Sequence, residues 1–124
     1  MTLRTTSLLV ALVFSAGALA SQPGTPAAGK KLFESAKDSK GNAKPACMSC
    51  HGANANQPLD GMPKLAGQYP DYLTKALKEY RSGKRSNAIM GAQAKDLSDA
   101  DIANLTAYFE SLNGDIHDLS GHAR

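Results

Sequence analysis

Both cysteines of the chain fall within one five-residue stretch, Cys47-Met-Ser-Cys-His51. On one helical turn, two thiols at i and i+3 lie on the same face. An imidazole follows at once. Whatever this motif holds, the rest of the chain must fold around it, and the rest is short of large side chains. Past the first twenty residues the aromatics are Phe33, Tyr69, Tyr72, Tyr80, Tyr108 and Phe109, with no tryptophan. A domain of about 100 residues buries a modest fraction of its surface and is often helped by a staple. A large apolar group bound at Cys47–His51 would supply the missing core.

The first twenty residues, MTLRTTSLLVALVFSAGALA, read as a leader rather than as part of the domain. Arg4 gives a positive start, Leu8–Phe14 is apolar, and Ala18-Leu19-Ala20 is a small-x-small cleavage signal. The unbroken apolar stretch from Ser7 to Ala20 is fourteen residues, short of the roughly 20 that span a bilayer. The expectation is therefore a signal peptide over 1–20, cleaved after Ala20, and an exported protein without stable membrane insertion. Loss of Arg4 takes the formal charge from +3 to +2. With near-balanced charge and no basic block, a nucleic-acid partner has no footprint.

Residues 21–26 are a polar tail with two prolines, expected to be flexible. A helix is expected from Ala27 to about Lys37, with Leu32, Phe33 and Ala36 on one face. Asp38–Ala46 contains Gly41 and Pro45 and reads as a loop. Residues 51–69, beyond the cysteine motif, show no helical period. Pro70 suits the first position of a second helix, with Leu73, Leu77 and Tyr80 inward and Gly83 at its end. Lys84–Lys95 reads as a second irregular loop. Ser98 and Asp101 form a capping pattern for a third helix. That helix carries Ile102, Leu105, Phe109 and Leu112 as its stripe, Tyr108 at the edge and Gly114 as its stop. The expected fold class is all-α, with three principal helices over 27–114 and a polar tail over 115–124. Two long loops in so small a domain need a function, and wrapping a cofactor is one.

Four chemistries fit C-x-x-C-H. Structural zinc needs four ligands, and only His117 and His122 remain beside His51. A dithiol redox site usually sits in a βαβ context, and no strand is evident here. A disulfide across so short a loop stabilises little and leaves His51 unexplained. Covalent haem attachment uses every position: both thiols add to the vinyl groups of one porphyrin edge, and the next residue puts an imidazole under the iron. Bacteria make that linkage outside the cytoplasm, so leader and motif support each other.

With His51 as proximal ligand, the distal candidates are Met48, Met62, Met90, His117 and His122. Met48 lies inside the motif and cannot turn to the far face. Met62 precedes Pro63, whose carbonyl could accept the Nδ1–H of His51; that would put Met62 on the proximal side. Met90 follows the second helix, where a chain that has passed under the haem returns over it. Met90 is the expected distal ligand.

Five segments, Gly29-Lys-Lys-Leu-Phe33, CMSCH, MPKLAGQY at 62–69, NAIM at 87–90 and LSDADIANLTAYF at 97–109, together resemble the class I cytochromes c. They are similar in particular to the short bacterial ones that also occur as tandem two-haem proteins. The resemblance implies a small fold wrapped around one haem c, bound covalently at Cys47 and Cys50. It implies a Pro63 carbonyl bonded to His51, Leu65 packed on the haem, Gly29 at a close crossing of the first and last helices, and Phe33 packed on Tyr108 at that crossing. Tyr69, Arg85 and Asn87 are weaker candidates for the propionate edge or the Met90 loop. Asp38–Ala46 is longer than the family's usual approach to the cysteines, and a single motif means a single haem in this chain.

The expected function is that of a periplasmic, monohaem electron carrier with His51/Met90 ligation, and not an enzyme. It would serve redox protein partners and be monomeric. Lys44, Lys64, Lys84, Arg85 and Lys95 are candidates for steering an acidic partner. The alternatives are an open-site haem protein that binds a gas or acts like a peroxidase, and an electron-entry subunit of a larger oxidoreductase.

Overall fold

The computed structural model describes residues 23–38 and 40–116. The expected leader and the tail histidines His117 and His122 lie outside them. The described residues form five helices and no strand: α1 Pro26–Glu34, α2 Met48–His51, α3 Pro70–Ser82, α4 Ala88–Ala94 and α5 Asp99–Ser111. The all-α expectation holds. Its three principal helices are α1, α3 and α5.

The frame is the crossing of α1 with α5. Gly29 sits at the contact point, where a Cβ would lie 2.0 Å from the Asn104 carbonyl oxygen. Only a residue without a side chain lets the two backbones approach so closely. Thr25 N–H donates to Asn104 Oδ1 at 2.8 Å and fixes the entry of α1. Just beyond the crossing, Phe33 is fully buried. Its ring meets Phe109 edge-on at 5.3 Å and Tyr108 at 5.6 Å. Both are within the range of favourable aromatic pairs. Ala55, Ala66, Leu73 and Leu105 complete this core.

Local chemistry sets the helix ends. Pro70 opens α3 and Gly83 closes it with φ 78°. Ser98 Oγ accepts the Asp101 N–H at 3.1 Å, and Asp101 Oδ2 accepts the Ser98 N–H at 2.9 Å, a complete capping box for α5. Arg81, in the last turn of α3, donates to the Leu97 carbonyl at 2.8 Å and pairs with Asp99 at 2.7 Å. The end of α3 is thereby tied to the start of α5. Replacing Ser98 with alanine should cost about 1 kcal/mol. In a domain of this size that lowers the melting temperature by about 4–8 °C, a shift that thermal unfolding followed by circular dichroism can read.

The structure corrects several sequence expectations. The first helix ends at Glu34, not Lys37, because Ser35 turns extended (φ −72°, ψ 127°). Ala36 is therefore exposed rather than inward. The chain next folds back through an antiparallel bridge between Lys37 and Ala43. The stretch 84–95 is not wholly irregular, since it contains α4. Tyr108, at the edge of the stripe, is buried and packs on Phe33, as the resemblance implies. The third helix stops at Ser111, ahead of Gly114. Gly114 instead passes so close to Ala66 that a Cβ would lie 2.0 Å from its carbonyl oxygen.

Candidate haem site

The five-residue motif forms the single turn α2. The His51 and Cys50 N–H groups both donate to the Cys47 carbonyl, at 3.0 and 3.2 Å. The two thiols are free and partly buried, with no disulfide between them. Burial pushes the Cys47 thiol above its ordinary pKa, a shift that the nearby Lys44 charge opposes. Among the described residues no group of three or more His, Cys, Asp or Glu could hold a metal ion.

His51 is only 5% exposed. Its Nδ1 lies 2.8 Å from the Pro63 carbonyl oxygen. A carbonyl can only accept, so Nδ1 carries a proton, and in the neutral ring that leaves the Nε2 lone pair for a metal. The loop from His51 to Pro63 is held in shape by Ala55. This buried residue adopts φ 56°, the only positive value at a non-glycine position among the described residues. Its carbonyl accepts the N–H groups of Leu65 and Ala66 at 2.8 and 3.0 Å. Gly67 N–H then donates to the Phe109 carbonyl at 2.8 Å, docking the loop on α5.

Above α2 lies a cavity of about 570 Å³, a size that suits a cofactor. Cys47, Cys50, His51, Met62, Pro63, Leu65 and Met90 all line it. A smaller lobe of about 180 Å³ adjoins it and shares His51, Pro63, Leu65 and Met90. The walls are largely apolar, with Leu32, Leu77, Leu97, Leu105 and Phe109 contributing. Cys47, Cys50, His51, Pro63, Leu65 and Met90 thus border one space, whereas Met48 does not line it. The weaker candidates separate. Arg85 lines the small lobe, with its guanidinium over the Tyr80 ring at 5.1 Å. Asn87 lines the large cavity, whereas Tyr69 lines neither and is half-exposed.

Met90 is carried by α4, the helix that sequence periodicity missed. Asn87 caps it, its side-chain oxygen accepting the Met90 N–H at 2.8 Å. Asparagine ahead of AIMGAQA was a readable start signal, weakened by Gly91 inside the segment. Gln93 was also missed. It lies near the cavity rim and bonds across to Lys44 and Pro45. Four of the proposed steering cations are already engaged: Lys64 with Asp115, Lys44 with Gln93, Lys84 with Glu79 at 4.0 Å, and Arg85 with the Tyr72 hydroxyl at 3.5 Å.

The cavity suits a covalently attached haem. It offers two thiols on one turn, an imidazole held in the metal-binding tautomer and an apolar enclosure with a thioether on its wall. Comparison with known proteins agrees. The family model for cytochrome c matches residues 26–113. The chain belongs to the cytochrome c family and has its class I fold, with covalently bound haem c as the cofactor; Cys47 and Cys50 stand at the C-x-x-C-H spacing with His51. Cytochrome c4 of Pseudomonas aeruginosa is 46% identical over 72 residues, covering 57% of this chain and 36% of that protein. A thiosulfate dehydrogenase electron acceptor of Thiomonas intermedia is 39% identical over 85 residues, covering 65% and 39%. The crystal structure of reduced recombinant cytochrome c4 from Pseudomonas stutzeri matches with a TM-score of 0.63 at 36% identity, covering 74% of this chain and 53% of that one. The chain spans less than half the length of these two curated relatives.

Proposed function

We propose that the protein is a monohaem electron carrier of the periplasm, with His51 and Met90 as axial ligands, residues 1–20 as a cleaved leader and 27–114 as the haem domain. The observation that carries this reading is the placement of His51 and Met90 on the walls of one cavity, together with both cysteines. When bound, the haem supplies reversible one-electron exchange at its iron.

The chain's own residues do the rest. Cys47 and Cys50 hold one edge of the group to a rigid turn. The Pro63 carbonyl holds the His51 ring in position and raises its basicity. Met90 contributes a soft, neutral sulfur that favours the ferrous state and raises the potential. Leu65, Leu77, Leu105 and Phe109 exclude water, which disfavours the extra charge of the ferric state. Two strong protein ligands leave no position for a substrate, so a carrier fits better than an enzyme. Among the described residues no helix is long and apolar enough to cross a membrane.

A second reading keeps this chemistry but makes the redox partner a dedicated enzyme. It is favoured by the relative named as an electron acceptor of thiosulfate dehydrogenase. Affinity measurements between the purified cytochrome and candidate oxidoreductases separate a dedicated partner from a general shuttle.

The test of the primary reading is the visible spectrum of the exported protein, oxidised and reduced. Sharp reduced bands with a weak near-red sulfur-to-iron band in the ferric form support His/Met ligation. Haem bands without it, shifting readily under carbon monoxide, replace the carrier by an open-site gas binder or peroxidase-like enzyme.

A further inference from the structure

The long approach to Cys47 has a structural partner. Residues 37–38 and 40–46 belong to a strap that closes on itself and then reaches the helix bearing Met90. Asp38 organises its turn, accepting the N–H groups of Lys40 and Asn42 at 2.9 and 2.8 Å and the Asn42 amide at 2.8 Å. The Lys37–Ala43 bridge closes it. Three contacts then cross to the α4 region. Lys44 Nζ donates to Gln93 Oε1 at 2.9 Å, Gln93 Nε2 donates to the Pro45 carbonyl at 3.1 Å, and Lys40 Nζ lies 3.4 Å from Asp96.

Gln93 uses both ends of its amide in this contact. It accepts from a lysine and donates to the residue two before Cys47. Gln93 stands three residues after Met90 on a helix of seven residues. So short a helix has little stability of its own. α4 packs against α3, is capped at its start by Asn87, and is held near its end by the strap.

We propose that Gln93 is a positioning residue for the distal ligand: with Lys44 and Pro45 it latches α4 to the cysteine segment and keeps Met90 on the iron. The proposal rests on Met90 ligation. The strap fastens the proximal anchor and the distal helix to each other directly. Displacing Met90 by an outside ligand requires α4 to lift, and lifting α4 breaks the latch. The exposed Lys40–Asp96 pair adds little, since it is solvated and screened.

The test measures imidazole binding to the ferric holoprotein by its visible spectrum, with the near-red band and reduction potential recorded in parallel. Three proteins are compared: the unaltered chain, Gln93→Ala and Lys44→Met. Gln93→Ala removes both hydrogen bonds and should bind imidazole about tenfold more tightly. Lys44→Met removes one bond while keeping much of the stem, and should show about a threefold gain. In Gln93→Ala the potential should fall, and the near-red band should bleach at lower imidazole concentration. Lys44→Met also guards against a general loss of folding in Gln93→Ala. Imidazole affinities within twofold of the unaltered chain in both variants would mean that Met90 leaves by turning its own side chain, and the latch is overturned. Absence of the near-red band in the unaltered chain would instead remove Met90 ligation, and the latch with it.

Discussion

Met90→Ala should abolish the near-red band of the ferric protein while leaving the haem attached. Cys47 and Cys50 are untouched, so covalent attachment and the reduced-state bands of the porphyrin persist. The vacated side of the iron should then bind carbon monoxide in the ferrous form, which the unaltered protein should resist. The potential should fall on the order of 200 mV, within the roughly 0.8 V range that axial ligation sets. Loss of the soft sulfur removes the preference for ferrous iron, and water entering the cavity stabilises the ferric charge. Potentiometric titration of both proteins decides the matter. An unchanged potential and band would place Met90 on the cavity wall as packing alone.

Phe33→Ala should cost about 3–5 kcal/mol. Phe33 is fully buried and joins both Tyr108 and Phe109 at the α1–α5 crossing. Its removal leaves a cavity that the crossing cannot fill. Gly29 already holds the two backbones at contact, so α1 cannot move closer to close the gap. In a domain near 100 residues this lowers the melting temperature by about 15–30 °C. Thermal unfolding of the holoprotein, followed at the haem absorption and by circular dichroism, measures it. A loss below 1 kcal/mol would mean that the attached haem, not the helix crossing, carries the stability.

The two substitutions act on different parts of one design. The α1–α5 crossing and the Ala55 loop build a rigid base around His51. The distal side rests on a short helix with separate supports. Such a division would suit the proposed role of Met90 as the sixth ligand that sets the potential.

Much of this was legible in the residues. α3 and α5 begin where Pro70 and Ser98 announce them, because N1 proline and the capping box act within one turn. The haem motif is equally local, since both thiols and the imidazole come from consecutive positions. The end of α1 was misjudged because the extended turn at Ser35 is followed by a bridge to Ala43, a contact across the chain. α4 was missed because its apolar residues do not repeat at a helical period. Ile89 is exposed and Met90 faces the cavity, so its pattern follows the cofactor site rather than a core.

The sequence by itself determined the chemistry: two thiols, one imidazole and a small set of sulfur or nitrogen donors to face it. It also determined the three principal helices, whose periodic faces and end signals are short-range. The tertiary structure decided which distant residues meet. It brought Met90 to the cavity that His51 lines, set Pro63 against the His51 ring and joined Gln93 to the cysteine segment. These contacts span up to 48 positions, and no local propensity encodes them. They exist because burying Phe33, Leu105 and Phe109 in one core leaves the connecting segments few paths, and those paths converge on the haem cavity.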